Sequence, residues 1–131
     1  MTEQESKINR LVAEKVMGWT LQNSDTCEKA ESEEDYLDAE SNNGWFWNGR
    51  VGQKEAWEWK PSEDIACAFE VVYSALSFTV SLFELKVSES AWSCRLAWAN
   101  EGETRHGHVT DQASAPLAIC MAALDAFGVK P

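Results

Sequence analysis

The run from residue 77 to 109 constrains this chain most. Phe78, Val80 and Leu82 alternate in one phase, and Phe83, Leu85 and Val87 in the other, which predicts a bulge or twist near Leu82. Ser88-Glu89-Ser90 then turns the chain. Trp92, Cys94, Leu96 and Trp98 alternate against Ser93, Arg95 and Ala97, and Asn100-Glu101-Gly102 leads into a polar strand through His106 and His108. Consecutive strands joined by short turns pair antiparallel, and their apolar face must be covered by helices.

Three apolar stripes supply those helices. Ile8, Leu11, Val12, Val16 and Trp19 repeat with helical period, and Gly18 suits the C-cap. Ser62, followed by Glu63 and Asp64, reads as the cap of a helix that buries Ile65, Ala68, Phe69, Val72 and Leu76. Ser114 caps a last helix with Pro116 in its first turn and Leu117, Cys120, Met121, Leu124 and Phe127 inward, terminated by Gly128. Between the first two helices, Trp45-Phe46-Trp47 ending in Asn48-Gly49 predicts a hairpin whose return strand runs from Arg50 to Trp59. The expected fold is α+β: an antiparallel sheet sandwiched between helices in α-β-α layers, in a single domain of 131 residues.

Charge adds a second constraint. Twenty-two Asp and Glu against eleven Lys and Arg leave -11, and residues 25–40 alone contribute -7, with Lys29 their only cation. Residues 1–24 and 105–131 are each neutral. From about 20 to 44 helical periodicity vanishes, so this acidic insert reads as a long loop, a marginal helix or a disordered segment. An acidic surface opposes duplex and anionic-membrane binding, because both run on Lys and Arg. Composition also excludes collagen, coiled coil and full-length disorder. The N-terminus has no apolar signal region, and no apolar run approaches the length of a membrane span.

Three blocks together carry a family resemblance: NRLVAEKVMGW (Asn9 to Trp19), WKPSEDIACAFEVV (Trp59 to Val72) and ASAPLAICMAALDAFG (Ala113 to Gly128). They are similar to the phage ABA sandwich domain family, small proteins encoded by phages and prophages. The resemblance implies two helical layers around a sheet and a phage origin; with cysteines that read as buried thiols of a reducing cytosol, the expected location is the host bacterial cytoplasm. It implies no catalytic residues. The acidic stretch departs from it as an enlarged connection between the first two blocks.

Candidate sites follow from residue types. On a helix, Glu28, Glu31, Asp35 and Asp38 would share one face, with Glu33 and Glu34 beside them. Like charges so placed repel unless a cationic partner covers them. Seven Trp is a high count, and Trp45, Trp47, Trp57 and Trp59 fall within fifteen positions. They read either as core filling or as an aromatic platform for a nucleobase or a protein partner, with Arg50 holding a phosphate or carboxylate. His106 and His108 have the i, i+2 spacing of some metal sites, with Cys94 or Asp111 as further ligands, but no ligand pattern completes them. Cys27, Cys67, Cys94 and Cys120 are widely spaced without a CxxC pair, which predicts buried thiols rather than zinc or disulfides. No nucleophile elbow or phosphate loop is present.

The expected function is therefore non-catalytic, with no metal and no cofactor. An acidic surface that imitates nucleic acid, formed by Glu28, Glu31, Glu33, Glu34, Asp35, Asp38, Trp45, Trp47, Arg50 and Trp57, would inhibit a host protein with a basic groove. A nucleic-acid-handling defence complex such as CRISPR-Cas fits that description. The alternative is a binder that sequesters a nucleotide signal through Trp stacking and Arg50, Arg95 or Arg105. A homo-oligomer stays open.

Overall fold

The structure is a computed structural model that describes residues 2–49, 52–75 and 78–131. Helix α1 (Glu3–Leu11) is capped by the Thr2 hydroxyl, which accepts from the Glu5 amide. It runs directly into a π-helical turn, Val12–Val16, where the amides of Met17 and Trp19 reach back to the carbonyls of Val12 and Ala13. The wider turn buries two adjacent pairs, Val12 with Ala13 and Val16 with Met17, where a regular helix would bury one narrow stripe. Gly18 then takes the left-handed conformation the sequence predicts, with φ of 71°.

Strand β1 (Thr20–Asn23) pairs antiparallel with β2 (Trp45–Gly49), which pairs with β3 (Gly52–Glu55). Leu21 lies opposite Trp47 and Asn23 opposite Trp45, so Leu21, Trp45 and Trp47 share the buried face. The β2–β3 register differs from expectation. Asn48 and Gly49 are strand residues paired with Gln53 and Gly52, not the turn itself. Gly49 is required instead by a close approach: a Cβ there would sit 2.3 Å from Trp19 Cδ1. The return strand ends at Glu55, and a 3₁₀ turn (Ala56–Glu58) carries the chain to Trp59, so Trp57 and Trp59 do not share a strand face. Arg50 and Leu76 lie outside the described residues.

Between β1 and β2 the insert is structured. The amide of Asn23 donates to the Glu28 carbonyl and that of Ala30 to Leu21, which closes the loop against β1. Helix α2 (Glu33–Ser41) follows, opened by a reciprocal capping box in which the Ser32 hydroxyl accepts from the Asp35 amide while the Asp35 carboxylate accepts from Ser32.

Helix α3 (Ile65–Ser74) is capped by Asp64, which accepts from the amides of Ala66 and Cys67. Ser62 is not the cap. It is buried, and its amide donates to Oδ1 of Asn9 on α1. The buried face of α3 is Cys67, Ala68, Val71, Val72 and Ala75, rotated from the expected one, so that Ile65 and Phe69 are each 40% exposed. Small residues let this helix approach its neighbours closely, and the large ones move to the flank.

Strands β4 (Thr79–Ser88), β5 (Ala91–Asn100) and β6 (Glu103–Gln112) form the second antiparallel sheet, in that order. The register slips between Val80 and Leu82, at the predicted bulge. Glu89 and Ser90, both at positive φ, make the two-residue turn between β4 and β5. Phe83, Leu96 and Gly107 lie in one row, Leu85, Cys94 and Val109 in the next, and this face meets the helices. Trp98 anchors it by donating from Nε1 to the Val72 carbonyl of α3. Helix α4 (Ala115–Ala126) is capped by Ser114 as predicted and ends at Gly128, φ 71°. Its Ala122 carbonyl lies so close to β6 that a Cβ at Gly107 would be 1.8 Å away. Cys120 and Leu124 are buried as expected, whereas Leu117, Met121 and Phe127 are half-buried and Ala118, Ile119, Ala122 and Ala123 fill the contact. The result is an α+β fold of antiparallel sheet and helices sharing one continuous core. Among the described residues, no helix is long and apolar enough to cross a membrane.

Candidate functional site

The acidic segment does not form one helical face. Glu28 and Glu31 lie before α2, in the loop tied to β1, so they are not in helical register with Asp35 and Asp38. Half of the carboxylates in residues 25–40 have internal partners. Glu33 accepts from Arg10 Nη1 at 2.8 Å, and Glu40 accepts from the Ser6 hydroxyl. Asp35 belongs to the capping box and also accepts from the Glu31 amide. Asp38 accepts from Trp45 Nε1 at 2.8 Å and from Asn42 Nδ2 at 2.7 Å, and these bonds hold its carboxyl below the usual range. Asp25, Glu28, Glu31 and Glu34 are exposed and, among the described residues, have no hydrogen-bond or ion-pair partner on their side chains.

The tryptophans divide as well. Trp45, Trp47 and Trp59 are buried, which leaves Trp57 as the surface member of the four. Its Nε1 donates to Glu55 Oε2. Trp59 packs on Trp19 with centroids 4.7 Å apart and donates to the Asn9 carbonyl. The Trp45 and Trp47 rings therefore lie largely within the core, with Trp47 also on the wall of a cleft that it shares with Trp57 and Trp59. Their exposure was not readable from alternation alone, which says that two residues share a face but not which face.

Arg10, Glu14, Glu33 and Tyr36 form a connected polar cluster that no periodicity or motif in the sequence marks. The Arg10 guanidinium stacks 3.5 Å over the Tyr36 ring and binds Glu14 and Glu33, while the Tyr36 hydroxyl donates to Glu14. Burial, and then the Glu14 charge, push the Tyr36 phenol above its ordinary value. The cluster ties α2 to α1. Behind it, Ser6, Arg10, Tyr36, Glu40, Trp57 and Lys60 line a small cleft of about 30 Å³. In front, α1 and α2 border an open groove of about 650 Å³ with Glu3, Lys7, Glu33 and Leu37 on its walls. Leu37 is 62% exposed.

His106 and His108 are exposed on the sheet face opposite the helices, whereas Cys94 is fully buried on the helix side and cannot join them. Arg105 pairs with Glu103 and lies 4.5 Å over the Phe127 ring. Cys67, Cys94 and Cys120 are buried free thiols, and Cys27 is exposed. Burial pushes Cys94 up to about 12 and Cys120 higher still.

The model of the phage ABA sandwich domain family matches residues 10–124. The chain belongs to that family. The matched range spans α2 and the acidic loop. No curated protein and no solved structure matches the chain.

Proposed function

We propose that this phage-family protein is a non-catalytic binder that acts in the host cytoplasm by blocking a basic groove on a host protein, such as the nucleic-acid channel of a CRISPR-Cas defence complex. The supporting observation is a set of four carboxylates, Asp25, Glu28, Glu31 and Glu34, without a side-chain partner among the described residues, on a loop and helix start held by backbone bonds to β1 and by the capping box. Charges on a fixed frame are preorganised, so a cationic partner need not order them on binding. They also steer association over roughly a Debye length, about 10 Å at 0.1 M salt. Glu33, Asp35 and Asp38 serve this surface indirectly, by holding α2 in place.

The nucleotide-binding alternative draws on the small cleft that Trp47, Trp57 and Trp59 line beside Arg10 and Lys60. The test is capture from host lysate at low and high salt, with wild type and with Glu28→Lys/Glu31→Lys/Glu34→Lys. These positions are exposed, so the variant should melt where wild type does. The reading requires a host protein retained by wild type, weakened by salt and lost with the variant. Equal retention by both proteins contradicts it, and a melting shift with a nucleotide panel would favour the alternative instead.

A further inference from the structure

The two edges of the second sheet are not alike. On β6, the outward amide of His108 donates to Asp125 Oδ2 of α4, and Asp111 breaks the strand conformation at φ 58°. That edge is blunted. Strand β4 has no such cover: it lies at the end of the order β4-β5-β6, and among the described residues no strand pairs along its other side. Along this ten-residue strand the amides and carbonyls of alternate residues, those that do not point to β5, are therefore left as a template for another strand.

Apolar surface continues from this edge onto α3. Ile65, Phe69 and Tyr73 recur at i, i+4 and i+8 along one flank of the helix, and all three are exposed, Tyr73 by 64%. Phe69 meets the β4 residue Phe83 edge-on with centroids 6.1 Å apart, which places the flank over the open edge. Val87 of β4 is 55% exposed although its strand phase points it to the helix side. Isolated exposed apolar residues need no explanation, but a row beside an unpaired strand does.

The side-chain pattern of β4 is self-complementary about Leu85. In an antiparallel pair of two copies related by a two-fold axis at Leu85, Glu84 of each copy faces Lys86 of the other on the outer sheet face. On the helix side, Phe83 faces Val87 of the other copy. Within one chain Lys86 Nζ lies 3.1 Å from Glu84 Oε1, and both groups reach solvent. A shift of the axis to Glu84 would set Glu84 against itself, so charge selects the register. We propose that a second copy of this chain occupies this surface, and that β4 pairs with β4 to make a continuous six-stranded sheet with the two α3 flanks meeting above the junction.

The experiment is the solution mass over a dilution series, by light scattering or sedimentation. Wild type should show twice the chain mass of 14.7 kDa and dissociate on dilution. Lys86→Glu places carboxylates against carboxylates and should give the mass of one chain. The swap Glu84→Lys/Lys86→Glu restores opposite pairs and should restore the dimer. Both positions are at the surface, so circular dichroism should be unchanged in each variant. A wild-type mass of one chain throughout overturns the proposal, and so does a dimer that Lys86→Glu leaves intact. Rescue by the swap separates this pairing from a general effect of charge.

Discussion

Gly107 and Gly49 are both fixed by what a methyl group would strike, and the two collisions differ in kind. At Gly107 the obstacle is backbone, the Ala122 carbonyl, so α4 would have to lift from β6. Gly107→Ala should cost more than the roughly 1–3 kcal/mol of ordinary overpacking and leave little folded protein in a thermal melt. At Gly49 the obstacle is the half-buried Trp19 side chain, which can turn, so Gly49→Ala should stay within that range and alter tryptophan emission as Trp19 leaves Trp59. Asp38 makes a pH prediction. Its carboxyl is lowered from 3.8 by its bonds from Trp45 and Asn42, so it binds protons more weakly folded than unfolded. The stability it adds is complete above the ordinary carboxylate value and is lost as pH falls through the lowered one. Melting temperatures of wild type and Asp38→Asn should therefore differ at neutral pH and converge in acid. The thiols offer another check. A disulfide reagent at mildly alkaline pH should find Cys27 fast and the other three slow, all four becoming equivalent in denaturant.

At the scale of elements, the two-residue turn between β4 and β5 is a poor local fit of sequence to structure. Glu89 and Ser90 hold φ of 49° and 70°, where neither has an intrinsic preference. Glu89→Asn/Ser90→Gly should raise stability by about 1–2 kcal/mol in a denaturant titration, with the register unchanged. Alternation made β4, β5 and their bulge legible, because a period of two in a long strand leaves few readings. Ser114 and Gly128 bracketed α4 for a similar reason: their roles depend on local backbone bonds alone. The buried face of α3 was less legible. Ile65 and Phe69 have helical spacing, but what α3 buries is set by the close approach of its neighbours, which favours Ala68, Val72 and Ala75. The π turn at Val12–Val16 has no composition of its own, and β1 is four residues long, too short for periodicity to register. Of the candidate site, local charge density was readable. The division into structural and partnerless carboxylates was not, because Arg10 and Trp45, the partners of Glu33 and Asp38, are distant or hidden by the fold.

For the whole molecule, net charge is less informative than the way carboxylates are employed. Among the described residues, three of those in residues 25–40, Glu33, Glu40 and Asp38, hold α2 against α1 and β2, Asp35 caps α2, and the other four are left for solvent or a partner. The four free carboxylates are preorganised only if the segment is a fixed part of the fold rather than a mobile tail of charge. Native-state hydrogen exchange tests that directly. The amides of Asn23, Ala30 and Asn42, bonded to the carbonyls of Glu28, Leu21 and Asp38, should exchange far more slowly than in an unstructured chain and lose protection together in denaturant. Exchange of all three at the unstructured rate, with β5 and α4 still protected, would contradict the account.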